Sequence, residues 1–259
     1  MPGDTKDLTG KVALVTGGSR SIGREVALAL GARGADVVVT FREQREAAEE
    51  TVQLLDGLGV RSAALQVDLT GTAQLDRLCE EFRRTSREWG FDRFDVLVNN
   101  AGMQGRLGTF ETVTEDDLDA VYQTNYKSLF FLTQRLIGDM NDGGRIVNLG
   151  SSTVRAVYGP LVGYGPLKAA VESLTVYLAS FLGPRGITVN AVAPGGLEGD
   201  FNAAEFAANE GAREFIVTNT AIGRIGVPGD VGHVVAFLCS PEAAFISGAV
   251  VPVTGGYSL

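Results

Sequence analysis

The chain has 259 residues, 45% apolar and 20% charged, an ordinary globular balance on a length that buries a sizeable core. A net charge of −9 argues against a protein that grips a nucleic-acid phosphate backbone. No apolar run approaches membrane-spanning length, the polar N-terminus lacks a signal peptide's apolar core, and Cys79 and Cys239 stand far apart in helical contexts, so the expectation is a cytoplasmic protein with reduced, buried thiols and no membrane partner.

Strands and helices alternate from the start. Val12–Val15 reads as a buried strand, followed by a tight turn over 16–23 and a helix to about Arg33. Asp36–Thr40 is a second strand, Glu43–Leu58 an amphipathic helix, Ser62–Val67 a third strand and Thr72–Trp89 a helix. Val96–Val98 is a fourth strand. Thr114-Glu-Asp-Asp117 reads as a capping box opening a long helix through Asn125 to about Met140. Strand five spans Arg145–Leu149, and the helix after it runs to Leu182. Ile187–Val192 is strand six; a polar insertion, a helix from about Asp230 to Cys239 and a last strand over Ala249–Val253 complete the chain. Apolar runs separated by helix-length segments mean βαβ units, hence an α/β fold with a doubly wound, mostly parallel sheet and helices on both faces. No linker or repeat interrupts the alternation, so residues 1–259 are expected to form one domain.

Gly17, Gly18 and Gly23 follow a strand and open a helix, where backbone approaches a pyrophosphate and the helix N-terminus offers unpaired N–H donors. A plain strand-to-helix turn is the alternative. The residue after strand two separates the two nicotinamide cofactors, an acid for the NAD ribose and Arg for the NADP phosphate. Here the strand ends Val39-Thr40-Phe41-Arg42 without an acid, and Arg20 lies in the first turn, which favours NADP(H) over NAD(H). Glu43 stands beside Arg42 and opposes it.

Tyr164 and Lys168 are four residues apart on a helix, so a phenol and an ammonium share one face, with the hydroxyl of Ser151 upstream at a strand end. Such a set moves a proton onto or off an oxygen. His233, the only histidine, falls off the apolar stripe of its helix and reads as solvated; a single histidine leaves no Ser-His triad and no zinc site of the His type, and no metal is expected.

Taken in order, Thr16-Gly17-x-x-x-Ser21-Ile22-Gly23, Asp68-Leu69, Asn99-Asn100-Ala101-Gly102, Asn125, Ser151, Tyr164-x-x-x-Lys168 and Asn190-x-x-x-Pro194-Gly195 resemble the short-chain dehydrogenase/reductase family in its compact single-domain branch, over Leu8–Tyr257. Ser151 lies thirteen residues before Tyr164, the interval of many members, which prefers it to Ser152. The resemblance, to 3-oxoacyl reductases and other ketoreductases in particular, implies hydride transfer between NADP(H) and a small ketone or secondary alcohol. An NAD-dependent dehydrogenase is the alternative, and a non-catalytic nucleotide sensor is disfavoured by the intact acid–base set. Enoyl reduction is disfavoured because those relatives space Tyr and Lys more widely.

The resemblance also implies residue roles. Tyr164 would be the general acid, its pKa lowered by Lys168⁺ and the oxidised nicotinamide; Lys168 would also bond the nicotinamide ribose. Ser151 would hold the substrate oxygen, and Asn125 a relay water. Gly17, Ser19, Arg20, Ser21, Ile22 and Gly23 would cradle the phosphates with Arg42 beyond them. Asp68 and Leu69 would flank the adenine, Asn99, Ala101 and Gly102 would support the sheet and the adenosine ribose, and Pro194, Gly195 and Leu197 would border the nicotinamide. A homotetramer is implied by the same likeness.

Three positions depart from the family pattern. Ser21 stands where glycine is frequent, Gly199 where threonine follows Pro-Gly, and Thr254 where aspartate precedes Gly255-Gly256. Residues 196–222 mix acids with Phe201, Phe206, Phe215 and Ile216, which reads as a lid over substrate or as a helical hairpin packed on the body.

Overall fold

The computed structural model describes residues 6–199, 206 and 210–259. The strands are β1 (Val12–Val15), β2 (Asp36–Phe41), β3 (Ser62–Gln66), β4 (Phe94–Asn99), β5 (Met140–Leu149), β6 (Thr188–Pro194) and β7 (Val250–Val253), with β-branched residues dominating β2 and β7. β1, β2 and β4 are buried along their whole length, because helices cover both faces. The helices are α1 (Ser21–Ala32), α2 (Arg45–Gly57), α3 (Leu75–Glu88), α4 (Glu115–Tyr122), α5 (Ser128–Leu136), α6 (Gly165–Leu182), α7 (Glu210–Thr218) and α8 (Pro228–Leu238).

All seven strands pair in parallel in one sheet of order β3-β2-β1-β4-β5-β6-β7. The order reverses between β1 and β4, and a crevice therefore opens at their carboxyl ends. One apolar layer holds α1 and α8 against the sheet through Val26, Leu30, Val231 and Val235; the other holds α3 and α5 through Leu78, Phe82, Leu132 and Leu136. Phe82 and Phe94 meet edge-on at 5.2 Å between centroids in that second layer.

Most element boundaries fall within three residues of expectation, and two differences are larger. The long helix through Asn125 is broken: a π turn over Gln123–Lys127 separates α4 from α5, and the helix gives way at Leu136 to a 3₁₀ turn, Ile137–Asp139. β5 starts at Met140 rather than Arg145, because Met140 pairs with Phe94 before Asn141–Gly144 bulge out and pairing resumes at Val96 and Arg145. The bulge is held by Asn141 Nδ2 donating to Asp95 and by Arg185 paired with Asp142 at 2.8 Å. Thr114 and Asp117 do form the expected capping box.

Candidate active site

The carboxyl ends of the strands frame a cleft of about 580 Å³. Its near wall is the first turn, with Gly17, Ser19, Arg20, Ser21, Ile22 and Gly23 all lining it. A Cβ at Gly23 would come within 2.1 Å of the Gly17 carbonyl oxygen, so only glycine lets the turn fold back on α1. The turn is anchored by Thr40 and by the motif residues Thr16 and Asn100, an anchoring role the sequence did not indicate. Thr40 Oγ1 accepts from Gly17 N–H at 3.1 Å, and Asn100 Nδ2 donates to the carbonyls of Thr16 and Gly17. Thr16 Oγ1 accepts from the amides of Asn100 and Ala101, each at 3.0 Å. The first intrahelical bond of α1 is Arg24 N–H to Arg20 O, which leaves the amides of Ser21, Ile22 and Gly23 ahead of it as donors suited to an anion.

Arg42, Asp68 and Leu69 line the end of the cleft beyond β2, together with Arg20. Arg42 is exposed and ion-paired with Glu43 at 3.1 Å. Asp68 accepts from Thr70 N–H with one oxygen, while its own amide donates to Gln74. Ala101 and Gly102 line the middle of the cleft. Asn99 does not. It is buried in the sheet, where Nδ2 donates to Thr133 Oγ1 at 3.1 Å and to Asn148 Oδ1 at 2.9 Å; its neighbour Asn100 faces the cleft instead. The two alternate because successive strand side chains point to opposite sides.

Ser151, Tyr164 and Lys168 come together at the far end, beside Pro194, Gly195 and Leu197. Ser151 ends the β5 segment and opens a 3₁₀ turn, Ser152–Val154; its Oγ accepts from Thr153 N–H at 3.2 Å and from Thr153 Oγ1 at 2.8 Å. The Ser151 and Tyr164 side chains are hydrogen-bonded. Tyr164 is the N-cap of α6 and packs against Val121, Leu161, Leu107 and Leu167. Lys168, one turn on, is buried; its Nζ donates to Leu149 O at 2.7 Å and lies 5.6 Å from the Tyr164 ring centroid.

Burial dominates the electrostatics. It pushes the Tyr164 phenol above its ordinary pKa, against a smaller opposite effect of the Ser151 hydrogen bond. The expected lowering is therefore reversed in the protein alone, and the phenol is held protonated, the form a general acid requires. Burial also pulls Lys168 down to about 8.

Asn125 lies in the middle of the π turn, buried, and outside the cleft lining. Its Oδ1 accepts from Met103 N–H at 2.8 Å and its Nδ2 donates to Met103 O at 2.7 Å, so the side chain braces the cleft edge at Met103. Two of the three departures face one another. Ser21 adopts φ 49, a left-handed conformation that costs a side-chain-bearing residue on the order of 1 kcal/mol. A Cβ at Gly199 (φ 126) would stand 3.1 Å from Ser21 Oγ. A hydroxyl has thus been gained on one wall where a side chain is missing from the other. Thr254 packs its backbone on Gly195, where a Cβ would come within 2.9 Å of Thr254 Cα, in line with a packing role.

Of the insertion, Phe201 and Glu205 lie outside the described residues. The described part packs on the body. Glu198 N–H donates to Gly226 O, Arg213 pairs with Glu198, Ile216 covers Gly196, and Arg213 sits 5.2 Å over the Phe206 ring.

The cleft fits a dinucleotide on its own terms. Its volume falls in the range of small-molecule sites, its middle is a glycine turn with amide donors, one end carries two guanidinium groups, and the other a buried acid–base set. A family model described as enoyl-(acyl carrier protein) reductase matches residues 17–258. A hydroxynaphthalene reductase-like protein of Metarhizium brunneum is 37% identical over 97% of this chain and 96% of its own length. Versicolorin reductase 1 of Aspergillus parasiticus is 36% identical over 98% of each. Among solved structures, an angucycline C-6 ketoreductase with bound NADP superposes with a TM-score of 0.92 at 38% identity, covering 97% of both chains. The motifs, the seven-stranded sheet and these likenesses agree: the chain belongs to the short-chain dehydrogenase/reductase family of oxidoreductases.

Proposed function

We propose that this chain is an NADP(H)-dependent ketoreductase with Tyr164 as general acid. The observation that carries the reading is the buried Ser151–Tyr164–Lys168 set at one end of a cleft whose other end presents Arg20 and Arg42. NADPH, when bound, supplies the hydride to the carbonyl carbon. The Ser151 hydroxyl orients the carbonyl oxygen and stabilises the charge that develops on it. The Tyr164 O–H, kept protonated by burial, gives its proton to that oxygen, and a secondary alcohol results. Lys168, when protonated, offsets the phenolate left behind through its position beneath the ring. A proton relay at Asn125 would use its main-chain carbonyl or the hydrogen-bonding capacity its side-chain amide keeps beyond the two bonds to Met103. Arg20 and Arg42 would hold the 2′-phosphate. The description of the family model names enoyl reduction; the Tyr164–Lys168 interval and the hydrogen-bonded Ser151 support carbonyl reduction instead.

The substrate class we infer is a ketone on a fused aromatic ring system. The names of the relatives support this, as do exposed apolar side chains on the two loops that continue from cleft-lining Met103 and Ser151. Loops 103–113 and 155–163 are joined where Gly108 N–H donates to Pro160 O, and they carry exposed Phe110, Val157 and Tyr158. Residues 196–222 would cover the substrate side of a single domain. The free cysteines support a cytoplasmic setting, and no helix among the described residues is long and apolar enough to cross a membrane. A homotetramer is supported by the exposed apolar faces of α6 and the C-terminal region.

The test is an assay of purified protein with NADPH and a tetralone, alongside an enoyl thioester. Ketone reduction is expected, and Tyr164→Phe should lower kcat by about 10³-fold or more while NADPH still binds with enhanced fluorescence. Retained turnover in the variant would refute the mechanism, and preference for the enoyl thioester would refute the reaction class.

A further inference from the structure

Glu172 is a carboxylate with only 8% of its side chain exposed, on the helix that carries the acid–base pair. It lies four residues after Lys168 and eight after Tyr164, so the three share one face of α6. Its carboxylate presses on the end of β5: a Cβ at Gly150 would come 3.1 Å from Glu172 Oε1. Gly150 immediately precedes Ser151, and its N–H donates to Val192 O at 2.8 Å. The partner of Glu172 comes from the other side of Ser151. Arg155 Nη1 donates to Oε1 at 3.2 Å and Nη2 to Oε2 at 3.0 Å.

The segment between these anchors is short. Val154 N–H donates to Ser151 O and Arg155 N–H to Ser152 O, a single 3₁₀ turn capped by Ser151 Oγ. One end is thus fixed in the sheet at Gly150 and the other is clamped onto α6 at Arg155. A planar fork on a planar carboxylate fixes direction as well as distance.

We propose that Arg155 and Glu172 are positioning residues that hold Ser151 in register with Tyr164 and Lys168. The inference rests on the ketoreductase reading for its kinetic consequence. A displacement of about 1 Å at a reacting group costs up to ~100-fold in rate, and this clamp adds a second tie, beside the Ser151–Tyr164 hydrogen bond, between the Ser151 turn and the face bearing the other two groups.

The experiment compares wild type, Arg155→Met, Glu172→Met, the double Met variant and Arg155→Lys. Arg155→Met leaves the buried Glu172 carboxylate unpaired and should lower Tm; Arg155 is more than half exposed and solvated on its own, so Glu172→Met and the double variant should keep Tm nearer wild type. A positioning role predicts that kcat for tetralone reduction stays at least about tenfold down in the double variant, with KM for NADPH unchanged, and that Arg155→Lys restores part of it. Recovery of kcat along with Tm in the double variant would show a merely structural pair and overturn the proposal. A crystal structure of the double variant reads Ser151 without any assay. Displacement of its Oγ from Tyr164 by about 1 Å is expected, and an unmoved Ser151 refutes the clamp. Wild type that turns over no ketone would refute the ketoreductase reading, while the position of Ser151 still decides this one.

Discussion

Lys168 is a buried ammonium that donates to the Leu149 carbonyl oxygen rather than to a carboxylate. Its pKa falls from 10.5 to about 8, with desolvation as the cause. Between those values the unfolded chain binds more protons than the folded one, so stability rises with pH through that window. Below about 8 both states are protonated and the penalty is full and constant. Urea unfolding of wild type and Lys168→Met at several pH values isolates this contribution. The difference should move in favour of wild type by on the order of 3 kcal/mol as pH climbs from about 8 to 10.5. A difference that ignores pH would show that Lys168 is solvated. The identities of Tyr164 and Lys168 are legible in the sequence because a four-residue interval means one helical face. The direction of the Tyr164 shift is not, since desolvation depends on Leu107, Val121 and Leu161, which arrive from other elements. Asn99 and Asn100 are likewise indistinguishable in one dimension; the pleat of β4 decides which faces the cleft.

At the scale of elements, the proposed contact to the 2′-phosphate depends on the connection between β2 and α2. It is only Arg42–Gln44, and its conformation is fixed from β3: Gln66 Nε2 donates to Arg42 O at 2.8 Å, while Gln66 Oε1 accepts from Arg45 at 3.1 Å. Arg45 also sits 5.4 Å over the Phe41 ring. Arg42 is therefore presented at the cleft with Glu43 as its partner. A 2′-phosphate would compete with that carboxylate for the guanidinium. Arg42→Ala should weaken NADPH binding about tenfold and leave NADH nearly unchanged. Glu43→Gln should do the reverse, tightening NADPH by roughly threefold, with the gain fading as salt screens it. Fluorescence titrations with both cofactors measure this, and equal effects on NADH and NADPH would refute a phosphate role. Arg42 is visible in the sequence because it follows a strand end. The Gln66 brace is not, because it depends on β2–β3 register. The π turn was hidden for another reason, since α4 buries only Val121 and so carries too little apolar pattern to show a one-residue phase shift into α5.

At the scale of the molecule, the alternation of apolar runs and helix-length segments was enough to read the doubly wound sheet, since right-handed crossovers leave few other arrangements. The same alternation says nothing about which helix faces stay uncovered. On α6, Val176, Tyr177 and Phe181 are exposed, the last two by about three quarters, while Val171 and Leu174 on its other side are buried. Beside it, Tyr122, Tyr126 and Phe130 form a ladder along the π turn and α5, with the Tyr122–Tyr126 pair stacked at 5.9 Å. A second apolar group, Ile222, Phe245 and Leu259, is exposed at the C-terminal side. The proposed homotetramer would use these two patches as its two kinds of two-fold interface. Tyr177→Glu with Phe181→Glu should remove one interface and leave the other. In sedimentation the proposed wild-type tetramer should then give way to dimers, with Tm lowered because assembly would contribute to stability by mass action. The placement of these faces gives the variant a second consequence. α6 carries Tyr164 and Lys168 at its start and the patch toward its end, so loss of the interface should lower kcat less than it lowers Tm. A wild-type monomer in sedimentation would refute the assembly and leave the cleft chemistry untouched.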